Sequence, residues 1–247
     1  MTSRNLTPLL PLADAATRDL ERSISDTAHV LLFGAIGWPW LLRSLSGGSR
    51  AHKAALIERL GLAPDALPYL GSWKADTGLL TMLADHVETR RPDTVVEFGM
   101  GASSLVIGRA LQRNGHGQLI SFDQNQGFVA ATAEWLAEQG IAADLRFAEL
   151  GASPRGWPGA WYQAVDVPPQ IDLLVVDGPS WSIHPYTRGA AEVLFDRIPV
   201  GGTVMLDDAR RPGERVVAAR WRARWPDFEF RIADGGTKGT LVGTRLR

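Results

Sequence analysis

Short apolar runs alternate with segments of helical periodicity from Asp93 onward, and this alternation constrains the fold more than any other feature of the chain. Short strands separated by helices favour a parallel sheet that is covered by helices on both faces. We expect five such strands, at Thr94–Phe98, Gln118–Phe122, Asp144–Phe147, Ile171–Val176 and Gly202–Leu206. The intervening helices are expected near Ala102–Arg113, Gln126–Gln139, Thr187–Arg197 and Glu214–Trp225. The pattern predicts an α/β protein with a Rossmann-like sheet.

Two more strands close the chain, Phe228–Ile232 and Thr240–Thr244, and the turn Asp234-Gly235-Gly236 joins them. A glycine-bearing turn between two short apolar runs is typical of a hairpin, so one terminal strand should run antiparallel. The sequence thus predicts a seven-stranded, mostly parallel sheet that ends in an antiparallel hairpin. The stretch between Phe147 and Ile171 is rich in glycine, proline and tryptophan. We expect a long loop there that contains a short helix or forms part of a substrate rim.

The first third of the chain differs from the rest, because its patterns are helical. Expected helices are Ala13–Ser25, Thr27–Leu45, Ala51–Leu60 and Thr77–Thr89. Gly47-Gly48 and the stretch from Pro64 to Gly71 act as breaks between them. We therefore divide the chain into an N-terminal helical extension or lid, residues 1–75, and a second domain, residues 76–247.

Composition excludes several classes of function. The net charge of -1 lacks the basic excess of nucleic-acid-binding proteins, so no nucleic acid is expected as a partner. The absence of cysteine rules out disulfides and thiolate metal sites. The N-terminus lacks the apolar core of a signal peptide, and we expect a cytoplasmic protein. Five charged residues interrupt that region: Asp14, Arg18, Asp19, Glu21 and Arg22.

One apolar segment, His29–Leu42, needs a separate interpretation. It is shorter than a membrane span and contains Pro39, so no transmembrane helix is expected. We interpret it as a helix that packs on the core or on a partner subunit, which makes a homodimer through the N-terminal helices a hypothesis. A role at a membrane surface or in a substrate tunnel is the alternative.

The stretch Val95–Ser104, with the sequence VVEFGMGASS, combines a strand, a glycine turn and a helix N-terminus. Such a turn lets backbone N–H groups approach a ligand closely. The carboxylate of Glu97 at the end of the strand can accept hydrogen bonds from a cationic or hydroxylated ligand, but it would repel a pyrophosphate. The combination favours a nucleoside that carries a positive group over a dinucleotide.

Carboxylates also follow three later strands of the expected sheet. Asp123 follows the second strand, Asp177 the fourth, and the pair Asp207-Asp208 the fifth. Ligands of open parallel sheets bind beyond the carboxyl ends of the strands, so these side chains should lie at one edge. A carboxylate at position 123 can bind both hydroxyls of a ribose.

These residues make the chain resemble the class I S-adenosylmethionine-dependent methyltransferases. The resemblance covers about Asp76 to Arg247, and it is carried by Glu97-x-Gly99-x-Gly101, by Asp123, by Asp177-Gly178, by Gly201-Gly202 and by the terminal hairpin. More narrowly, the chain is similar to a bacterial subgroup with Asp-Gly-x-His-x-Tyr and Gly-Gly…Asp-Asp elements. Here His184-x-Tyr186 is displaced, because residues 179–183 follow the Asp-Gly pair.

The resemblance implies where S-adenosylmethionine would bind. The two glycines of the turn would pass close to its methionine part, and Glu97 would hold its amino group directly or through water. Asp123 would bind the ribose, Gln124 would flank it, and Phe128 and Glu149 would approach the adenine. The implied cofactor contacts are Glu97, Gly99, Gly101, Ser103, Asp123, Gln124, Phe128, Glu149 and Asp177.

A metal ion is the second implication. Asp177, Asp207 and Asp208 occupy positions like the metal-binding acids of catechol-type and some sugar O-methyltransferases, and their oxygens suit Mg²⁺. The last ligand of the catechol-type enzymes is an amide, so the third carboxylate is a departure. It would overcharge the site unless a divalent cation or the pair Arg210-Arg211 compensates for it.

The expected reaction is methyl transfer to a small molecule, most simply to a hydroxyl group, as in an O-methyltransferase. A hydroxyl acceptor must lose its proton. A metal would lower the pKa of that hydroxyl; without a metal, Asp177 or His184 would act as general base. The expected catalytic residues are Asp177, His184 and Asp207.

Two other classes of protein remain open. The first is a catalytically silent cofactor-binding protein on the same fold. The second is a nicotinamide-dependent oxidoreductase, which is disfavoured because Ser104 stands where its fingerprint has a third small Gly or Ala. Glu97 also lies where the pyrophosphate of such a cofactor would approach.

Overall fold

The computed structural model of the protein describes residues 23–163 and 165–247. A seven-stranded sheet lies at its centre. Its strands are β1 (Thr94–Phe98), β2 (Gln118–Asp123), β3 (Asp144–Phe147), β6 (Leu173–Val176), β7 (Thr203–Leu206), β8 (Phe228–Ala233) and β9 (Thr240–Arg245), and β4 and β5 form a separate small sheet described below. The strand order in the large sheet is β3-β2-β1-β6-β7-β9-β8; neighbouring strands are parallel from β3 to β7, and β9 runs antiparallel to both β7 and β8. The sequence-based fold is confirmed.

Six α-helices accompany the sheet within the described residues. They are α1 (Ile24–Ser44), α2 (Arg50–Leu60), α3 (Thr77–Arg90), α4 (Ala102–Asn114), α5 (Gln126–Glu138) and α6 (Pro212–Arg224). These agree with the expected helices to within a few residues, except that most of the helix expected at Ala13–Ser25 lies outside the described residues. Side chains on alternate sides of each strand enter two different cores, as the strand repeat of two requires. Val95, for example, belongs to the core under α3 and α4, and Val96 to the core under α6.

The segment Thr187–Arg197 is a 3₁₀ helix, where the sequence predicted an α-helix. In an α-helix the carbonyl of Gly189 would accept from the backbone four residues later. Here the indole nitrogen of Trp221 donates to that carbonyl at 2.9 Å. Gly189 also lies against Trp157, since a Cβ atom on it would come within 2.3 Å of the Trp157 ring. Packing between two tryptophans therefore sets the backbone of this segment.

The stretch expected to be a long loop contains a small antiparallel sheet of β4 (Leu150–Ala152) and β5 (Ala160–Tyr162). A short 3₁₀ turn, Pro154–Gly156, lies between its strands. Trp161 and Tyr162 are buried, with ring centroids 4.9 and 5.0 Å from that of Phe98 at the end of β1. The two aromatic side chains thus anchor this stretch beside the carboxyl edge of the large sheet.

Helix α1 contains the apolar segment that the sequence singled out. Ser23 caps it through a capping box with Asp26. One face packs on the body of the protein, where Gly34 lies against Trp181 and Gly37 against Pro212. The other face exposes large apolar side chains at Ile24, Leu31, Leu32, Ile36, Trp38 and Leu42. Among the described residues, no helix combines the length and apolar character that crossing a membrane requires.

Candidate functional site

The glycine turn between β1 and α4 lies directly against the end of β6. Gly99 and Gly101 have φ angles of 87° and 151°, which side chains with a Cβ atom rarely adopt. A Cβ atom on Gly99 would lie 2.6 Å from the backbone nitrogen of Gly178. The backbone nitrogens of Asp177 and Gly178 both donate to the carbonyl of Phe98, at 2.8 Å each. Position 99 must therefore be glycine for the ends of the two strands to meet.

Glu97 lies at the end of β1 and is completely buried. Its Oε2 accepts hydrogen bonds from the hydroxyls of Ser104 and Ser121, at 2.5 Å each. Its Oε1 has no hydrogen-bond donor among the described residues. Burial raises the pKa of Glu97, and the hydroxyls of Ser103, Ser104 and Ser121 act against that rise. One oxygen is thus fixed by the protein, and the other remains able to accept a hydrogen bond from a ligand.

The end of β2 brings Asp123 and Gln124 to the same edge. Asp123 is buried, and its Oδ1 accepts from the backbone nitrogen of Asn125 at 2.8 Å. Gln124 is fixed from the other side, because the hydroxyl of Tyr162 donates to its Oε1 at 2.9 Å. The structure therefore holds both side chains in place beside the glycine turn, and their contact with a ribose stays a prediction.

An aromatic pair lies beside the turn. The ring of Phe128 is 3.8 Å from the position that a Cβ atom on Gly101 would take. Trp73, from the segment between α2 and α3, meets Phe128 edge to face with a centroid separation of 6.3 Å. The ammonium of Lys74 lies 5.6 Å from the centroid of the Trp73 ring. The segment before α3 therefore reaches the glycine turn, a contact that the sequence did not reveal.

Two of the expected cofactor contacts, Ser103 and Glu149, differ in their exposure to solvent. Ser103, at the start of α4, is buried close to Glu97. Glu149 is exposed. It lies next to Ala148, whose backbone nitrogen donates to the carbonyl of Asp123 at 3.0 Å. The structure thus gathers the turn glycines, Glu97, Ser103, Asp123, Gln124 and Phe128, whereas the side chain of Glu149 points to solvent.

Beside this edge lies a group of charged residues that we call the buried charge cluster. Its carboxylates follow β6 and β7 or lie in the first turn of α6, and its basic groups come from three other places in the chain. The members are Asp177, Asp207, Asp208, Glu214, Arg188, Arg211 and Lys238. One oxygen from each of the three aspartates lies within 4.8 Å of the other two.

Arg188 bridges the carboxylate that follows β6 and a carboxylate that follows β7 in the buried charge cluster. Its guanidinium approaches Oδ1 of Asp177 at 3.2 Å and donates to Oδ2 of Asp208 at 3.0 Å. It also donates to the carbonyls of Asp177 and Pro179, at 2.5 and 3.1 Å. Only 5% of Arg188 is exposed. The fork geometry of arginine suits this bridging role.

Lys238 and Arg211 supply the remaining positive charge. The Nζ atom of Lys238 donates to Oδ2 of Asp207 at 3.2 Å and lies 3.5 Å from Oδ1 of Asp208. Arg211 approaches Oδ2 of Asp208 at 2.8 Å. The sequence suggested Arg210 as a compensating group together with Arg211, but Arg210 pairs with Asp234 of the terminal hairpin instead. That expectation is corrected: Lys238, from the segment before β9, takes the place assigned to Arg210.

The carboxylates of the cluster differ in pKa. Burial raises the pKa of Asp177 to about 6, against the opposing charges of Arg188 and Lys238. Burial also raises that of Glu214 to about 7 and that of Asp207 well above its ordinary value. Asp208 differs, because Arg211, Lys238 and Arg188 outweigh its burial and lower its pKa to about 2. Asp177 can therefore exchange a proton near neutral pH.

We tested whether the three aspartates fit the divalent cation that the resemblance implies. Their Oδ1 atoms have no hydrogen-bond donor among the described residues, which would suit a metal. However, a cationic nitrogen already lies 3.2 Å from Oδ1 of Asp177 and 3.5 Å from Oδ1 of Asp208. An ion shared by these oxygens would be in close contact with both Arg188 and Lys238. The side chains as they stand do not fit a divalent cation.

His184 is separate from the buried charge cluster. It is 1% exposed and lies under α1, with Nε2 3.9 Å from a carboxylate oxygen of Asp26. Its Nδ1 accepts from the backbone nitrogen of Tyr186 at 3.1 Å, so its single proton lies on Nε2. Burial lowers the pKa of His184 to about 4, while Asp26 acts to raise it. Its role as general base stays a prediction, and the structure shows it as a packing residue beneath α1.

Comparisons with known proteins agree with this geometry. A family profile described as a methyltransferase domain matches residues 96–209. This matched region contains the glycine turn and the carboxylates that follow β2, β6 and β7. No protein with a curated description matches the chain in sequence.

Several solved structures share the fold at low sequence identity. A methyltransferase from Geobacter sulfurreducens is 18% identical, with a TM-score of 0.53, over 81% of this chain and 91% of that one. The O-methyltransferase TomG from Streptomyces achromogenes, in complex with SAM, is 15% identical, with a TM-score of 0.52, over 92% and 100%. An O-methyltransferase from Bacillus cereus, in complex with SAH, is 11% identical, with a TM-score of 0.52, over 87% and 99%. These likenesses establish the methyltransferase fold.

Three members of the buried charge cluster were not expected from the sequence. They are Arg188, Lys238 and Glu214. Arg188 follows the displaced His184-x-Tyr186 element, and Glu214 lies in the first turn of α6, where a carboxylate is favourable with or without a binding role. Lys238 lies next to the glycine-rich turn of the hairpin. A charge count over the strand-end carboxylates could have prompted a search for these basic partners.

Proposed function

We propose that the protein transfers a methyl group from S-adenosylmethionine to a hydroxyl group of a small molecule. One observation carries the proposal: the unbonded Oε1 of buried Glu97 lies at the glycine turn, at the same edge as Asp123. A buried acceptor without a donor is costly unless a ligand supplies one. The amino group of a methionine moiety is such a donor.

The other residues of the edge support the same cofactor. Asp123 and Gln124 are held where ribose hydroxyls would lie, by Asn125 and Tyr162. Phe128 and Trp73 offer apolar rings for an adenine. When bound, S-adenosylmethionine supplies an electrophilic methyl carbon on a positively charged sulfur. TomG and the Bacillus cereus O-methyltransferase, which share the fold, were solved with SAM and SAH, respectively.

Asp177 is the residue that we assign as general base. Its backbone contacts the glycine turn, and its Oδ1 accepts no hydrogen bond from a described residue. With Glu97 and Asp123 holding S-adenosylmethionine, the acceptor oxygen would take the methyl group and lose its hydroxyl proton, and the carbon–sulfur electron pair would stay with the sulfur. The proton of the acceptor hydroxyl passes to Oδ1 of Asp177. A pKa of about 6 leaves this carboxyl ready to take up the proton near neutral pH.

Arg188 acts through Asp177 and not on the acceptor. Arg188 fixes both the carbonyl and the carboxylate of Asp177, which holds the base against the glycine turn. Asp207 is paired with Lys238. Because Mg²⁺ does not fit this arrangement, we assign no step to a metal.

The exposed apolar face of α1 supports the earlier hypothesis of a homodimer through the N-terminal helices. Leu31 and Trp38 are 69% and 52% exposed, one heptad apart on that face. Exposed apolar patches of this kind are typical of interaction surfaces. The division at residue 75 and the cytoplasmic location likewise stay predictions.

Binding titrations with S-adenosylhomocysteine test the proposal. Wild-type protein should bind it, and Glu97→Gln and Asp123→Ala should each weaken binding at least about tenfold, because each loses a charge-assisted hydrogen bond. Asp93→Asn is the matched control, since Asp93 precedes the opposite end of β1 and its side chain is 83% exposed. Binding of NAD in place of S-adenosylhomocysteine would contradict the proposal. Cofactor binding without loss of methyl transfer in Asp177→Asn would refute the assignment of the base.

A further inference from the structure

We infer that Lys238 is a built-in cation that replaces a divalent metal ion at Asp207 and Asp208, and that its removal opens a metal site there. The inference deepens the proposed function, since it concerns the same edge of the sheet. Its principal test measures metal binding and does not depend on methyl transfer.

The position of the ammonium group carries the argument. The Nζ atom of Lys238 lies 3.2 Å from Oδ2 of Asp207 and 3.5 Å from Oδ1 of Asp208. These are two of the three side chains that would otherwise bind Mg²⁺ through oxygen. Because Lys238 is only 4% exposed, bulk solvent screens its charge from the aspartates very little. One ammonium thus occupies the space between the two carboxylates.

The backbone beside Lys238 is fixed by Asp76. Oδ2 of Asp76 accepts from the backbone nitrogens of Thr237 and Lys238, at 2.5 and 3.1 Å, and from the hydroxyl of Thr237 at 2.9 Å. Oδ1 of the same side chain caps α3 through the backbone nitrogen of Leu79. Asp76 is itself buried. The lysine is therefore held by a rigid helix end and not by a free loop.

A second set of contacts holds the same segment from the opposite side. The backbone nitrogen of Arg210 donates to the carbonyl of Lys238 at 3.2 Å, and that of Ala209 donates to the carbonyl of Gly239 at 2.9 Å. Both donors directly follow Asp208. The segment that carries the ammonium and the segment that carries the carboxylates are thus joined through their backbones, so the side chains of Lys238, Asp207 and Asp208 start from neighbouring positions.

Charge makes the lysine and the metal mutually exclusive. A divalent ion shared by Asp207 and Asp208 would lie within a few ångströms of Nζ, and like charges repel strongly in a buried site. The ammonium cannot turn away into solvent easily, because the Lys238 side chain is only 1% exposed and its backbone is held on both sides. Lys238 on both aspartates, together with Arg188 and Arg211 on Asp208, thereby supplies the positive charge that the site would otherwise take from an ion in solution.

Titration with Mn²⁺, followed by electron paramagnetic resonance, tests the inference, since Mn²⁺ prefers the same oxygen ligands as Mg²⁺. Wild type should bind no Mn²⁺ at millimolar concentrations. Lys238→Ala should bind it at least about a hundredfold more tightly than wild type, because a unit charge next to the ion has been removed. Lys74→Ala is the matched control: Lys74 is also buried, but it lies beside Trp73, and the variant should bind no Mn²⁺.

A second variant and a stability measurement complete the test. Adding Asp207→Asn to Lys238→Ala should abolish Mn²⁺ binding, and Mn²⁺ should raise the melting temperature of Lys238→Ala but not of wild type. Lys238→Met serves where Lys238→Ala does not fold. Saturable Mn²⁺ binding by wild type that Asp207→Asn removes would overturn the inference, and so would the absence of binding in every folded Lys238 variant. Binding of S-adenosylhomocysteine by wild type, measured separately, tells failure of this inference from failure of the proposed function.

Discussion

Arg188 provides the sharpest test of how the site is held together. It donates to four oxygens within hydrogen-bonding distance, those of Asp177, Pro179, Asp207 and Asp208, and 5% of it is exposed. Arg188→Met keeps most of the side-chain volume and removes the charge. Two buried aspartates and the nearby Glu214 then lose a cationic neighbour.

The expected loss of stability is large. Removing one partner of a buried ion pair costs about 3–5 kcal/mol, because it leaves an uncompensated buried charge. With an m value of about 3 kcal/mol per molar urea, the midpoint of unfolding should fall by about 1 to 1.7 M. Urea titration followed by tryptophan fluorescence measures this shift. The loss should be smaller at pH 5 than at pH 8, because Asp177 and Glu214, with pKa values raised to about 6 and 7, take up protons as the pH falls.

Arg59→Met is the matched control. Arg59 also contacts two carboxylates, Asp85 at 2.5 Å and Glu88 at 2.6 Å, and these separations are shorter than those between Arg188 and its carboxylate oxygens. Its side chain is 37% exposed, so solvent screening should limit the loss to about 0–1 kcal/mol. Equal losses in the two variants would refute the reasoning, because burial would then not decide the strength of these contacts.

Three further predictions follow from the same structure. In urea unfolding, Gly99→Ala should destabilise the protein by clearly more than Gly115→Ala. Both positions have positive φ angles, but a Cβ atom at position 99 would lie 2.6 Å from a backbone atom, whereas no atom lies within 4 Å of one at position 115. His184→Gln should make the free energy of unfolding fall less steeply as the pH is lowered below 6.5. The pKa of His184 in the folded state is lowered to about 4, so the stability that it contributes is present above pH 6.5 and is lost as the pH falls toward 4. An equal pH dependence of the free energy of unfolding in variant and wild type would contradict this. His86, with a pKa also lowered to about 4, contributes to the slope that remains. Leu31→Glu together with Trp38→Glu should convert a dimer to a monomer in sedimentation experiments, and a wild-type monomer would exclude a dimer through α1.

The sheet could be predicted from the sequence, because short runs of neighbouring residues determine where its strands lie. β1 and β3 both have the expected ends: β1 is buried along its whole length, as a largely apolar run requires, whereas β3 lies at the edge of the sheet and is partly exposed. The 3₁₀ segment was not predictable, because Trp157 and Trp221, which set its backbone, lie about 30 residues away on either side. Secondary-structure propensity carries no information on such distant contacts.

The candidate site likewise has residues that the sequence could predict and residues that it could not. Glu97, the turn glycines and Asp123 follow strands, so the topology alone brings them together. Lys238 and Arg188 reach the aspartates from elements whose position depends on packing, and the sequence therefore suggested a metal ion where the structure holds basic side chains. The expectation for Arg210 was wrong for the same reason, since the fold of the hairpin directs it to Asp234.

A crystal structure of the protein with S-adenosylhomocysteine tests the central claim most directly. The ligand should lie at the glycine turn, with its amino nitrogen bonded to Oε1 of Glu97 directly or through one water and its ribose hydroxyls bonded to Asp123. Phe128 or Trp73 should contact the adenine. A ligand bound elsewhere, or bound at this edge without contact to Glu97 and Asp123, would contradict the proposed cofactor site.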